Sequence, residues 1–170
     1  MMDTRLFDRS EQVTSSQYVP INDSTLNDTT RALVGPVQFN WLDNNLDTSH
    51  AQWQILGQQI MMAPLVVPAG ILAPTAVVVN SDQWDGYPIE RERLYNHILT
   101  HNIRNVVVLS GDIHTGWAND LPLANYDSLH RQNSLGVEFV TPSISSSNEL
   151  PQLVSAPLIY SLAQYVRYVE

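Results

Sequence analysis

Asn105-Val106-Val107-Val108-Leu109-Ser110-Gly111-Asp112-Ile113-His114-Thr115-Gly116-Trp117 is the stretch on which the fold turns. Val106 to Leu109 are apolar without alternation, the pattern of a strand covered on both faces inside an α/β sheet. The run stops at Ser110-Gly111, where glycine lets the backbone turn sharply. Asp112 and His114 follow at spacing i, i+2. In open α/β sheets the carboxyl ends of strands are where ligands bind. Aspartate offers a hard oxygen and histidine a nitrogen, a pair that suits a hydrolytic metal site. The ordinary alternative is that Asp112 caps a turn and His114 is a loop histidine. Spacing alone leaves both open.

Outward from this stretch, helical and extended patterns alternate. Residues 10–30 are rich in Ser, Thr, Asn, Asp and Gln and read as a loop. Pro36 suits the first position of a helix running to residue 49, with Val37, Trp41, Leu42 and Leu46 at near-helical spacing. Residues 53–60 read as a strand. A second helix opens at Pro88 and reaches about residue 101, with Leu94, Tyr95, Ile98 and Leu99 on one face. Residues 136–141 form a further strand, and 143–147 a serine-rich loop. The order predicts α/β, a sheet between layers. There are no internal repeats and no domain boundary, so 1–170 reads as one unit.

Composition removes several chemistries. The chain has 170 residues, no cysteine and a net charge of −9, and all eight basic residues are arginine. Disulfides, zinc–thiolate sites, iron–sulfur clusters and a cysteine nucleophile are excluded, as are Schiff-base and P-loop lysines. The acidic balance argues against non-specific nucleic-acid binding. Charged residues make up 15% of the chain, below the usual ~25%, which suits a surface awaiting a partner. The start carries no signal-peptide pattern. Residues 60–79 are uncharged and nearly all apolar, but Pro64, Pro68, Pro74 and Gly70 interrupt them. A strand ending near Met62 and an apolar loop is the expected reading, not a membrane-spanning helix.

Other chemistry-bearing residues are fewer. Asp82-Gln-Trp-Asp85-Gly-Tyr-Pro88 contains a turn pair and a helix start. Asp85 lies too early to cap that helix, leaving either a turn or another task for its carboxylate. Arg5 in Asp3-Thr4-Arg5 is able to clamp a phosphate or make a plain salt bridge. His97 and His101 are four apart but lack the glutamate of a His-Glu-x-x-His motif, so a structural role is expected. His50 and His130 have no supporting neighbours. Ser145–Ser147 lack the Gly-x-Ser-x-Gly surroundings of a nucleophile. Tyr160, Tyr165 and Tyr168 suggest a partly buried helix or strand.

Taken in order, Asp3-Thr4-Arg5, Gly35-Pro-Val-Gln38 with Trp41-Leu42, Ser49-His-Ala-Gln-Trp53, Trp84-Asp-Gly-Tyr-Pro88, Asn105 to His114 and Gly136-Val-Glu-Phe-Val-Thr-Pro-Ser143 resemble PhoD-like phosphatases (alkaline phosphatase D). The resemblance implies a calcineurin-like metallophosphoesterase sandwich and metal-dependent hydrolysis of phosphate mono- and diesters with iron and calcium. It also implies roles. His114 corresponds to a histidine ligand of iron and Asp85 to an aspartate holding calcium. Asp112 falls within a Gly-Asp-x-His motif at or next to the metals. Asp82 is a weaker metal candidate able to exchange roles with Asp85, and Arg5 is a phosphate contact.

The same comparison predicts an incomplete site. The family's first half carries a cysteine ligand, a Gly-Asp-x-x-Tyr motif and an asparagine ligand, and none of these is present here. The chain is therefore expected to be a C-terminal part beginning at an internal methionine and, since nothing after Ser155 matches the family's closing strand, stopping early, with a companion half elsewhere. Little turnover is expected from it alone. The alternative is a non-catalytic remnant or interaction module that keeps the scaffold. The family is usually exported, and any export signal belongs to the absent half.

Overall fold

The computed structural model describes residues 1–13, 18–127, 132–146 and 166–168. Two sheets and two helices make up the architecture. β1 (Val19–Pro20), β4 (Val77–Val78) and β3 (Val66–Val67) form a small antiparallel sheet. The main sheet is ordered β2 (Gln54–Gly57), β5 (Val106–Ser110), β7 (Gln132–Val140), β6 (Trp117–Asp127) and β8 (Val166–Tyr168). β5 runs parallel to both β2 and β7, so the carboxyl ends of these three strands share one edge. β6 is antiparallel to β7 and β8. Its pairing with β7 shifts register on either side of Pro122.

α1 (Gly35–Thr48) and α2 (Pro88–Thr100) each begin with a proline in the first turn, where the lost N–H has no partner to lose. α1 buries Phe39, Leu42 and Leu46, and α2 buries Leu94, Tyr95 and Ile98. Both pack into one core with Val106, Val108, Leu56, Ile60, Met62 and Trp84. A second cluster joins the small sheet to the main one through Met61, Leu65, Val67, Trp117 and Val140. Among the described residues, no helix is long and apolar enough to cross a membrane.

The helix and strand positions agree with the expected ones to within a few residues, but the faces differ. Val37 is 67% exposed and Trp41 48%, because Phe39, not these two, continues the Leu42–Leu46 stripe. Leu99 likewise faces out. β5 is not covered on both faces: Val106, Val108 and Ser110 are buried, whereas Leu109 is exposed. The cross-strand register puts Ile55 and Leu109 on the same face as Phe139, and all three are exposed. Among the described residues this sheet face is therefore an uncovered apolar surface, whereas most large side chains of the 60–79 stretch are buried, leaving Ile71 and Leu72 exposed.

Two expected loops contain strands, since residues 10–30 supply β1 and residues 60–79 supply β3 and β4. Strands of two residues carry no period to read. β6 had no sequence expectation. Of the tyrosine-bearing tail, 166–168 form β8; Tyr160, Tyr165, His130 and Ser147 lie outside the described residues.

Candidate active site

The carboxyl edge shared by β2, β5 and β7 gathers the residues with the most chemistry. β2 leads into Gln58 and Gln59, β5 into Gly111 and Asp112, and β7 into Thr141. Backbone bonds tie these exits together: Gly111 N–H donates to the Gln59 carbonyl (3.1 Å) and Thr141 N–H to the Ser110 carbonyl (2.9 Å). The amino-terminal arm crosses this edge. Met2 N–H donates to the Gly57 carbonyl (2.9 Å), and Thr4 N–H to Gln59 Oε1 (2.8 Å), which places Arg5 over the end of β5.

Arg5 joins two carboxylates, with Nη1 on Asp82 Oδ2 and Nη2 on Asp112 Oδ1. Arg9 holds the other oxygen of Asp82 and donates to its backbone carbonyl at 2.9 Å. Buried Gln83 links the two acidic segments, since its Nε2 donates to Asp112 Oδ2 (2.8 Å) while its Oε1 accepts from Met61 N–H (2.6 Å). Burial opposes the charge on Asp82, but the two arginines outweigh it and hold that carboxyl below its ordinary range. The sign follows: Asp82 contributes stability above the unfolded value of about 3.9 and loses it as pH falls through the lower folded value. The midpoint difference between the natural chain and Asp82→Asn should therefore be flat above about pH 5 and shrink below about pH 4. A pH-independent difference would show that the arginine pairing does not stabilise the fold.

Asp85 sits on the 3₁₀ turn Trp84–Gly86 and faces inward. It is 3% exposed; its Oδ2 accepts from Leu65 N–H (2.7 Å) and its Oδ1 from Arg91 Nη1 (2.5 Å). It caps neither helix, since α2 has no side-chain cap. Asp112 and His114 both have left-handed backbone, φ 71° and 61°. Such conformations cost non-glycine residues on the order of 1–3 kcal/mol and cluster at functional sites. His114 is exposed. Arg5 thus contacts both Asp82 and Asp112, His114 lies on the same loop as Asp112, and Asp85 is turned to the Leu65 N–H and Arg91 instead. Among the described residues, no hydrogen bond or ion pair links His114 to the other four.

Residues without a sequence expectation turn out to hold this edge together. Glu138 is fully buried, and its carboxylate accepts from Met62 N–H (2.7 Å), Ala63 N–H (2.8 Å), Ser110 Oγ (2.6 Å) and Asn119 Nδ2 (3.2 Å). Burial raises its pKa against those donors. An acidic residue inside the apolar run Val137-Glu138-Phe139-Val140 was the available signal. Arg9 and Gln83 carried no comparable one.

The family model for PhoD-like phosphatases matches residues 1–167. The chain belongs to the PhoD-like phosphatase family. Alkaline phosphatase D of Bacillus subtilis (strain 168) is 38% identical over 148 residues, covering 86% of this chain and 24% of that protein. A solved structure described as "Structure of PhoD" superposes with a TM-score of 0.80 at 31% identity, covering 98% of this chain and 31% of that one. The chain therefore spans about a quarter of the length of the curated relative and a third of the solved one. Its α/β fold is that of a phosphoesterase sandwich, and PhoD-like proteins of this kind are phosphatases.

Proposed function

We propose that this chain supplies the Asp82, Asp112 and His114 side of a centre that hydrolyses phosphate mono- or diesters with iron and calcium. The observation that carries this reading is the bridge from Arg5 to Asp82 and Asp112 at the carboxyl end of β5, beside the strained His114 loop. Two carboxylates and an imidazole match, in kind, the oxygen and nitrogen donors a hydrolytic centre needs. The set is incomplete, because these side chains do not converge as a three-ligand cluster among the described residues. The remaining ligands would come from sequence outside these 170 residues.

Of the two aspartates three apart, Asp82 faces the site and takes the ligand role in this reading. Asp85 keeps Arg91 and the Leu65 N–H in place. When bound, the metals lower the pKa of water and neutralise charge developing on the phosphoryl oxygens. Arg5 then exchanges its carboxylate partners for phosphate oxygens, using the same planar fork of donors. Gln83 holds Asp112 in orientation while Arg5 moves. The sheet face bearing Ile55, Leu109 and Phe139 supports the same reading, since a sandwich needs a second layer there.

The test uses the purified chain and the double variant Asp112→Asn/His114→Gln, each titrated with ferrous iron and calcium and assayed on aryl phosphate mono- and diesters. The natural chain should bind iron more tightly than the variant by about 10-fold or more, with turnover far below that of the Bacillus subtilis enzyme in the same assay. Equal iron affinity in the two proteins would refute the ligand assignment. Turnover matching the relative would refute the incomplete site. Metal binding without any phosphate-ester affinity would favour a non-catalytic scaffold.

A further inference from the structure

We infer that Asp47, His97 and His101 form a second cation site, specific for a divalent transition metal, which clamps the carboxyl ends of α1 and α2. Asp47 lies in the last turn of α1, His97 in the last turn of α2, and His101 directly after it. The i, i+4 spacing stacks the two imidazoles on one helix face, with ring centroids 4.0 Å apart and planes tilted by 32°. His97 Nε2 and His101 Nδ1 approach the same oxygen, Asp47 Oδ1, at 2.8 and 2.6 Å. Among the described residues this is the one group of three such side chains whose ligand atoms all come within 4.8 Å of one another.

The surroundings favour a cation. Both helices present their carboxyl ends, which carry partial negative charge. Asp43 adds a second carboxylate: its Oδ1 is buried without a hydrogen-bond partner and lies 3.7 Å from His97 Nδ1, the ring atom turned away from Asp47. A carboxylate behind a ligating imidazole is the usual outer partner that orients the ring and raises its basicity. Of the nearby cations among the described residues, Arg93 reaches Asp43 Oδ2 only at 3.9 Å and is half-exposed, and Arg104 lines the adjoining groove without an ion pair to Asp47. Two nitrogens and one carboxylate oxygen select zinc, nickel or cobalt over calcium or magnesium. Metal–ligand distances of about 2.0–2.2 Å put tetrahedral ligand atoms roughly 3.3 Å apart. Asp47, at the surface, needs to withdraw only slightly to meet that. An open groove of about 460 Å³, lined by Asp47, Ser49, Gln52, His101 and Arg104, leaves room for water at the remaining positions.

This site is distinct from the phosphoesterase centre. α1 leads into the start of β2 and α2 into the start of β5, so the helix ends lie at the amino edge of the sheet. Asp112 and His114 follow its carboxyl edge. A metal here pins together two helices that contact each other sparsely, making it a stabilising site with no part in turnover.

The experiment takes the untagged chain and titrates zinc by calorimetry, with calcium as a control and the cobalt visible spectrum as a second readout. The natural chain and Asp112→Asn/His114→Gln should each bind zinc here and show a saturable rise in Tm. His101→Gln and Asp47→Asn, both surface changes verified as folded by circular dichroism, should each weaken zinc by about 10-fold or more and abolish the Tm rise. Zinc binding unaffected by either substitution, or no saturable binding at all, would overturn the inference. Because the double variant removes the proposed catalytic ligands, failure here is distinguishable from failure there.

Discussion

Glu138→Gln should lower the free energy of unfolding by about 2–4 kcal/mol, read from urea denaturation of the folded chain. The side chain changes by one atom, and nothing is lost in volume. The effect comes from donors. Both carboxylate oxygens accept two hydrogen bonds each, Oε1 from Met62 N–H and Ser110 Oγ, and Oε2 from Ala63 N–H and Asn119 Nδ2. An amide offers one oxygen, so its NH₂ must face the backbone N–H of Met62 or Ala63 in a buried place, even where Ser110 or Asn119 turns to accept from it. Unsatisfied buried donors carry their full desolvation cost. The burial that raises the Glu138 pKa offsets part of this, since glutamine removes a charge the interior disfavours. The unsatisfied backbone donor and the loss of charge-assisted bonds outweigh that relief. A loss below about 0.5 kcal/mol would mean that Glu138 is protonated or that its donors have other partners.

Gly86→Ala is expected to be comparably damaging, and its consequences reach the site. A Cβ at this position would lie 1.8 Å from the Ser81 carbonyl oxygen and 2.7 Å from its carbon. Backbone cannot swing aside as a flexible side chain does, so the 81–86 turn must open. Overpacking of this kind costs about 1–3 kcal/mol or more. The same turn carries Asp82, Gln83 and Asp85, so opening it also loosens the grip of Arg5 on Asp82 and of Gln83 on Asp112. The expected result is a lower denaturation midpoint together with weakened iron binding. A variant with natural stability and natural iron affinity would show that the turn has room to relax.

Much of the main sheet was legible because its cues are local. Pro36 and Pro88 mark helix starts, and the Val106–Leu109 run marks a strand but not that one of its faces lies open, since a fixed φ and a run of apolar side chains act over a few residues. The faces were less legible. Val37 and Trp41 fit a helical period as well as Phe39 does, and only the packing of α1 on the core decides which stripe is inside. The small sheet could not be read, because a two-residue strand such as Val66–Val67 exists only through its partner Val77–Val78.

The site divides in the same way. Asp112 and His114 could be singled out as candidates from their place after a strand and a glycine, with the ordinary turn reading still open, and the family from the order of its motifs. The resemblance puts Asp85 ahead of Asp82 as a calcium ligand, with the two able to exchange roles at a separation of three residues. The tertiary structure turns one toward Arg5 and Arg9 and the other toward Arg91 and the Leu65 N–H. His97 and His101 lack a His-Glu-x-x-His motif and so point to a structural role in the sequence, whereas Asp47, the third member of their cluster, lies fifty positions away on another helix. What the chain determined alone was the alternation of helix and strand, the absence of cysteine and lysine, and the motif order that marks a phosphatase. What required three dimensions was every partnership between distant residues, because a carboxylate's role depends on the donors and charges brought to it by other parts of the chain.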